Sequence, residues 1–372
     1  MPTDYNTTHV PCRASRHPTA LFLVLSLANY QMADTNPNPQ KTTSNETPQL
    51  PEAGSVNRRG FIKGVATTGA VAAIAPTVWP KTGSGAPQQQ ELGPKDIRDT
   101  RWRIEAVRVE QTFVDGTTLP FFRFKSTGTT PSNGELPILR SRAGRRVNVR
   151  IKNTLAFAIQ PTIVGNVTGP VVPAGETRLW AFVMPPTGTW MMTDAMLGGV
   201  AGPVGFAACI VSEGFELRQM GPIDREYFLL YQNTDSRWNQ AIDVGGTPDE
   251  SIYEPNYHTL NGLSYPHTMM DDDTRLTCSL GENVLVRMAN LGHVRHSIHF
   301  HGYHASFRKR NNIPENVLPE KDTFELPAYS TAEIFLPIVQ AGEYPIHPHS
   351  LTSVTDNGQY TGGQVTMIDA AP

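Results

Sequence analysis

"AGRRVNVRIKN" (143–153) and "LGENVLVRMAN" (280–290) carry the same residue at five positions: Gly144 and Gly281, Val147 and Val284, Val149 and Val286, Arg150 and Arg287, Asn153 and Asn290, every pair 137 positions apart. In each, valines alternate with other residues behind a glycine, the period of a β-strand with one buried face. Without a gap, the same offset lays "TIVG" (162–165) on "HFHG" (299–302). Further along, Pro173, Thr177, Gly188 and Trp190 match Pro327, Thr331, Gly342 and Tyr344 at an offset of 154. The gain of 17 positions is taken up by an extra polar loop, "RKRNNIPENVLPEK" (308–321). Two copies of one β unit therefore make up the chain.

The rest of the sequence agrees with an all-β class. Among 372 residues there are 31 glycines and 31 prolines, 17% are charged, and the net charge is -3. That balance gives no reason to expect a nucleic-acid partner. Strand-like segments bounded by Gly, Pro, Asn and Asp run over 145–153, 177–184, 205–211, 225–232, 282–290 and 332–339. No amphipathic helix longer than three turns is predicted. Cys12, Cys209 and Cys278 have no paired spacing, which excludes a readable disulfide framework or zinc ribbon.

Residues 1–80 read as a presequence and 81–100 as a Gln/Gly/Pro linker, followed by one β domain over 101–220 and a second over 221–372. Arg58 and Arg59 stand before Phe61, Lys63 and a modest apolar run from Val65 to Ala75, which resembles a twin-arginine export signal. Such a signal sends the mature protein to the periplasm or outside the cell. The upstream run Thr19–Tyr30 is too short to span a bilayer, so no stable membrane anchor is expected in the mature form. Translation is read as beginning at Met32, which leaves Cys12 outside the protein.

Histidine is distributed unevenly. Of eleven, His9 and His17 lie in the presequence and the other nine fall between His258 and His349. His258, His267, His293 and His304 are read as ordinary core or surface residues. Two H-x-H pairs are different: along a strand His299 and His301 share one face, with Ile298 and Phe300 on the other, and His347 and His349 repeat the arrangement. Four imidazoles from two strands suit copper or zinc, and the lack of thiolate or carboxylate partners favours copper, as one or two ions. By parity His296 belongs to the opposite face and is the weakest candidate of the five.

H-x-x-H-x-H-G at His296–Gly302, "EKDTFELPAYST" (320–331), "NGLSYPHT" (261–268) and the closing H-x-H together resemble the last cupredoxin domain of the multicopper oxidases, the laccase family. The likeness extends from about Arg101 onward. It implies two tandem cupredoxin-like Greek-key β-sandwich or barrel domains, similar to small laccases and copper nitrite reductases, many of which are trimers with metal at subunit boundaries; a homotrimer is the implied assembly. In that family a Cys, a later His and a Met complete a type 1 copper site with the first histidine of H-x-x-H-x-H. Here those positions hold Pro348, Ser353 and Gly358, and His296 alone survives. The trinuclear cluster draws four more histidines from the first domain, where the repeat places Thr162, Val164, Thr193 and Ala195. The resemblance therefore implies neither type 1 copper nor a full cluster, and ordinary laccase activity is not expected.

Two functions remain. One is a copper-dependent oxidoreductase with a reduced, type 2-like all-histidine centre acting on a small-molecule substrate or electron donor. The other is a non-catalytic copper carrier or interaction scaffold. Met184, Met191, Met192 and Met196 are read as filling the core that the first domain's histidines left, Cys209 and Cys278 as buried apolar residues, and Asp271–Asp273 and Arg308–Arg310 as solvated turns. The extra loop follows the histidine strand closely enough to gate a pocket.

Overall fold

Alternation carries directly into the first sheets: Trp102, Ile104 and Ala106 of the opening strand are buried, and the residues between them are not. The computed structural model describes residues 102–128, 130, 132–133, 135–214, 222–315 and 320–372. The presequence, the twin-arginine motif, Met32, Cys12, the whole linker and residues 316–319 of the insert lie outside the described residues.

The first copy comprises β1 (Trp102–Thr112), β2 (Thr118–Ser126), β3 (Ser132–Asn133), β4 (Leu136–Arg142), β5 (Arg146–Asn153), β6 (Pro161–Ile163), β7 (Thr177–Val183), β8 (Gly188–Asp194) and β9 (Ala208–Glu213). One sheet runs β2-β1-β5-β7 and the facing one β3-β4-β9-β8-β6. Trp102, Val149 and Phe182 from the first meet Leu139, Met192 and Ile210 from the second in one core. Such closure of two half-buried sheets is the stable way for each to hide its apolar face.

The second copy comprises β10 (Arg225–Thr234), β11 (Tyr257–Leu260), β12 (Leu276–Ser279), β13 (Asn283–Asn290), β14 (His296–Phe300), β15 (Ala305–Arg310), β16 (Ile313–Pro314), β17 (Glu320–Lys321), β18 (Thr323–Leu326), β19 (Thr331–Pro337), β20 (Gly342–Pro348) and β21 (Thr366–Ala371). Its sheets run β11-β10-β13-β19-β15-β16, with β17 on β15, and β12-β21-β20-β14-β18. Strand for strand, β13 covers the residues 137 positions beyond β5, while β19 and β20 lie 154 beyond β7 and β8. Even the capping asparagines agree. Asn153 Nδ2 donates to the carbonyls of Phe157 and Val172, and Asn290 Nδ2 to those of Val294 and Leu326. Asn290→Ala leaves those carbonyls and the Gly292 amide unpaired in the interior, at a cost of about 3 kcal/mol. Urea unfolding of Asn290→Ala and Asn153→Ala should show losses of similar size, and no change in either midpoint would refute the equivalence.

The outer faces of the β9 and β10 sheets meet. Leu136, Met191, Cys209 and Val211 pack on Phe228, Leu230, Ala289 and Leu291. At this seam Gly202 comes so close to Leu291 that a Cβ would sit 2.0 Å from its carbonyl oxygen, so a side chain has no room there. Arg287, 1% exposed like Glu333, donates to Glu333 at 2.5 Å, to Glu226 at 2.5 Å and to the Thr189 hydroxyl of the first copy at 2.7 Å. Thr189 in turn donates to Glu333 at 2.8 Å, so this second-copy ion pair is tied to the first sandwich through the Thr189 hydroxyl.

Three sequence expectations change. Residues 205–207 turn before β9 begins at Ala208, with Gly205 at φ +118° and the Phe206 amide bound to the Ala201 carbonyl. The insert is strand rather than loop at its start: Arg308–Arg310 end β15, with Lys309 buried and donating to the Thr187 carbonyl. Arg308 lies over the Phe335 ring at 4.4 Å, so this cluster is not a solvated turn. Asn312 accepts from the Thr189 amide at 2.7 Å. These contacts tie Lys309 and Asn312 to the first copy beside and in β8. A short helix, α1 (Ser236–Asp243), is N-capped by Asp235, and its Trp238 and Ile242 close the first core although they follow β10 in sequence.

Candidate metal centre

β14 and β20 lie side by side and antiparallel, with His299 opposite His347 and Ile298 opposite Pro348. Ile298, Phe300 and Ile346 are fully buried behind them, while the His299 side chain keeps 20% of its surface in solvent. The sheet therefore offers one apolar face to the core and one imidazole face outward. β20 carries Pro345 and Pro348 inside a sheet, where a missing N–H costs a ladder bond. Pairing is kept by the flanking amides: His301 donates to the Pro345 carbonyl at 3.0 Å and His349 to the Ser297 carbonyl at 2.8 Å.

All four predicted histidines come together. His299 stands 4.5 Å from His301, 4.9 Å from His349 and 6.0 Å from His347, and His301 stands 5.1 Å from His347, all between ring centroids. His347 Nδ1 donates to the Pro348 carbonyl at 2.9 Å, which leaves its Nε2 as the lone pair. That Nε2 is 2.9 Å from His301 Nε2. That is hydrogen-bond distance, and two nitrogens each about 2.0 Å from one ion and at right angles to it would stand about 2.8 Å apart, so the pair needs little movement to share a metal. His299 Nδ1 is engaged by the Thr323 hydroxyl at 3.1 Å, which turns its Nε2 towards the same face. Among the described residues no three His, Cys, Asp or Glu side chains are already arranged around an ion. The donor set, all imidazole, fits copper.

Burial lowers the His299 and His347 pKa values and takes His301 to about 4, which favours the neutral, ligating form of each ring. His296 lies elsewhere, as parity requires. It is fully buried on β14, stacked near Tyr231, and its Nε2 donates to Asn233 Oδ1 at 3.1 Å. Asn233 Nδ2 donates to the Nδ1 of equally buried His258 at 2.7 Å. His293 donates to the Gly199 carbonyl at 2.9 Å amid Trp238, Tyr253 and Tyr329, and His304 is exposed. Met184, Met191 and Met192 are buried as expected of core fillers, whereas Met196 is exposed. Cys209 and Cys278 are free and buried. At the other type 1 positions Ser353 is buried and Gly358 is exposed in a turn at φ +83°.

Sequence reasoning missed Asn233, the link between the two buried rings. The polar run Gln232–Thr234 ending an apolar strand was the available signal. Burial holds His258 at about 3 and His296 at about 4, below the ordinary 6.5. The unfolded chain takes up protons on these rings near 6.5 and the folded chain does not, so their contribution to stability is whole above 6.5 and is lost as the pH falls towards about 4. Urea midpoints should fall across that window, less steeply in His258→Gln; equal slopes would refute the assignment.

Residues 243–365 match the family model for multicopper oxidases. The second copy thus resembles a multicopper oxidase domain. Solved structures extend the likeness over both copies. A blue copper oxidase from Nitrosomonas europaea superposes with a TM-score of 0.61 at 18% identity, over 72% of this chain and 85% of that one. The multicopper oxidase mgLAC gives 0.59 at 20% identity, over 72% and 84%. A copper nitrite reductase from Nitrosomonas europaea gives 0.56 at 17% identity, over 72% and 92%. No curated protein matches the sequence. Identities of this order carry the cupredoxin fold alone, and the family match falls on the second copy. In its first copy, β6 and β8 pair with Thr162 opposite Thr193, the same register in which the second copy pairs His299 with His347.

Proposed function

We propose that this multicopper oxidase-type chain is an exported copper protein with a reduced, all-histidine centre built from His299, His301, His347 and His349, without type 1 copper and without a full trinuclear cluster. The 2.9 Å approach of His301 and His347 Nε2, beside the Thr162–Thr193 pair in the first copy, carries the reading. Copper held there supplies one-electron exchange with a small substrate or electron donor. The chain's own part is positional: Thr323 and the Pro348 carbonyl fix two rings, and Ile298, Phe300 and Ile346 back the face. Proline at 348 removes the thiolate that a blue centre needs. Export rests on the Arg58–Arg59 motif, and a homotrimer on the resemblance to small laccases and nitrite reductases.

The test is metal analysis with copper spin resonance and visible spectra on the mature protein and on His299→Ala, followed by oxygen-consumption assays with phenols and small oxidants. The reading requires histidine-ligated copper without an intense blue band. Three coppers per chain would sink it. Bound copper without turnover would favour a carrier, and no bound metal a bare scaffold.

A further inference from the structure

The seam between the two sandwiches is not completely filled. Three small residues, Ala208 and Cys209 of β9 and Ala289 of β13, leave a space walled by Met191, Phe228 and Leu230. Cys209, Phe228 and Ala289 keep 6%, 7% and 8% of their surface exposed although they lie between the two sheets. The space takes one molecule of about the size of water or dioxygen. Close packing leaves few such voids in a protein interior, because the lining forfeits dispersion contacts along its whole wall.

Polarity decides the occupant. Thr189 and Arg287 reach the same space, but the Thr189 hydroxyl donates to Glu333 at 2.8 Å and accepts from Arg287 at 2.7 Å, and Arg287 Nε is held by Glu226. Among the described residues, the buried side-chain polar atoms left without a partner include none from these walls. Burial pushes the Cys209 thiol up to about 12, so the sulfur stays protonated and is only a weak hydrogen-bonding group. Water needs roughly two to four polar partners to be held inside a protein, and a thiol is a poor first one. An ion would give up its hydration and meet groups that are already paired. A neutral apolar molecule gives up little on entry and gains contact with two polarizable sulfurs, since Met191 stands opposite Cys209 across β8 and β9.

We propose that the seam cavity is a binding site for one small apolar molecule, a diatomic gas such as dioxygen, held by contact with Met191, Cys209, Phe228 and Ala289. The site is distinct from the four-histidine face, which belongs to β14 and β20; none of the described residues lining the cavity comes from either strand. The gas is thereby kept between the two copies by dispersion alone, without a bond to metal.

Xenon, apolar and of similar size, is the first probe. Crystals of the mature protein under xenon pressure should show an anomalous peak between Cys209 and Ala289, and Ala289→Leu, which fills the space, should abolish it. If that variant does not fold, Cys209→Leu takes its place with the same expectation. Dioxygen itself is read in solution: under oxygen pressure the Ala289 and Met191 methyl signals should relax faster than those of Ala332 and Met288, which are buried in the second core. The proposal is overturned by the absence of xenon from the seam, by a peak that persists in the filled variant, by ordered water in the same space, or by methyl relaxation no faster than in the second core. Neither readout depends on copper, so these outcomes are separate from the fate of the proposed metal centre.

Discussion

If the proposed centre holds copper, His347→Ala should strip it from the purified protein, weakening binding on the order of 100-fold or more. His347 is one of the two rings whose nitrogens already stand 2.9 Å apart, and its orientation is fixed by the Pro348 carbonyl rather than by solvent. Losing a ligand must exceed the roughly 10–100-fold effect of losing a group that merely orients one. Thr323→Val supplies that comparison: it removes only the hydroxyl on His299 Nδ1, so binding should weaken by less while the spin-resonance spectrum keeps its nitrogen pattern. Titration of copper into metal-free protein distinguishes the two. A parental affinity in His347→Ala would remove the centre from this face altogether.

Arg287→Met has the largest expected effect on stability, a loss of about 3–5 kcal/mol. The guanidinium is inaccessible and joins Glu333, Glu226 and Thr189; methionine keeps the volume but strands a carboxylate that is 1% exposed. Adding Glu333→Leu removes the stranded charge, so the double variant should recover much of the loss. Equilibrium unfolding of both reports this. If the single variant lost less than about 1 kcal/mol, the buried pair would not be holding the seam in the way its geometry requires.

The parts legible in the sequence were those governed by local period. Val147, Val149 and Ile151 alternate because one face of β5 is buried, and the same rule set His299 and His301 on one side of their strand and His296 on the other. What stayed hidden depends on distant partners. Arg287 looks like a solvent-facing residue until Glu333 and Thr189 arrive from other strands. Trp238 follows β10 yet completes the first core, because its burial is decided by β2 and not by its neighbours in sequence. Phe206 and Ala207 are as apolar as a strand, but Gly205 bends the chain there into a turn. Lys309 and Arg308 illustrate the same limit: their charge suggested solvent, and a carbonyl and an aromatic ring receive them instead.

The shared register of Thr162–Thr193 and His299–His347 separates chemistry from architecture. In the first copy the hydroxyls satisfy themselves, Thr162 with Thr168 at 2.8 Å and Thr193 with the Phe206 carbonyl at 3.0 Å. In the second copy the same two strand positions carry His299 and His347, whose rings engage Thr323 and His301. The strand pair thus works as a socket that accepts either set of side chains while its ladder stays unchanged. A lineage can silence or restore metal chemistry in one half of such a protein by exchanging a few outward residues, with the scaffold carried through intact.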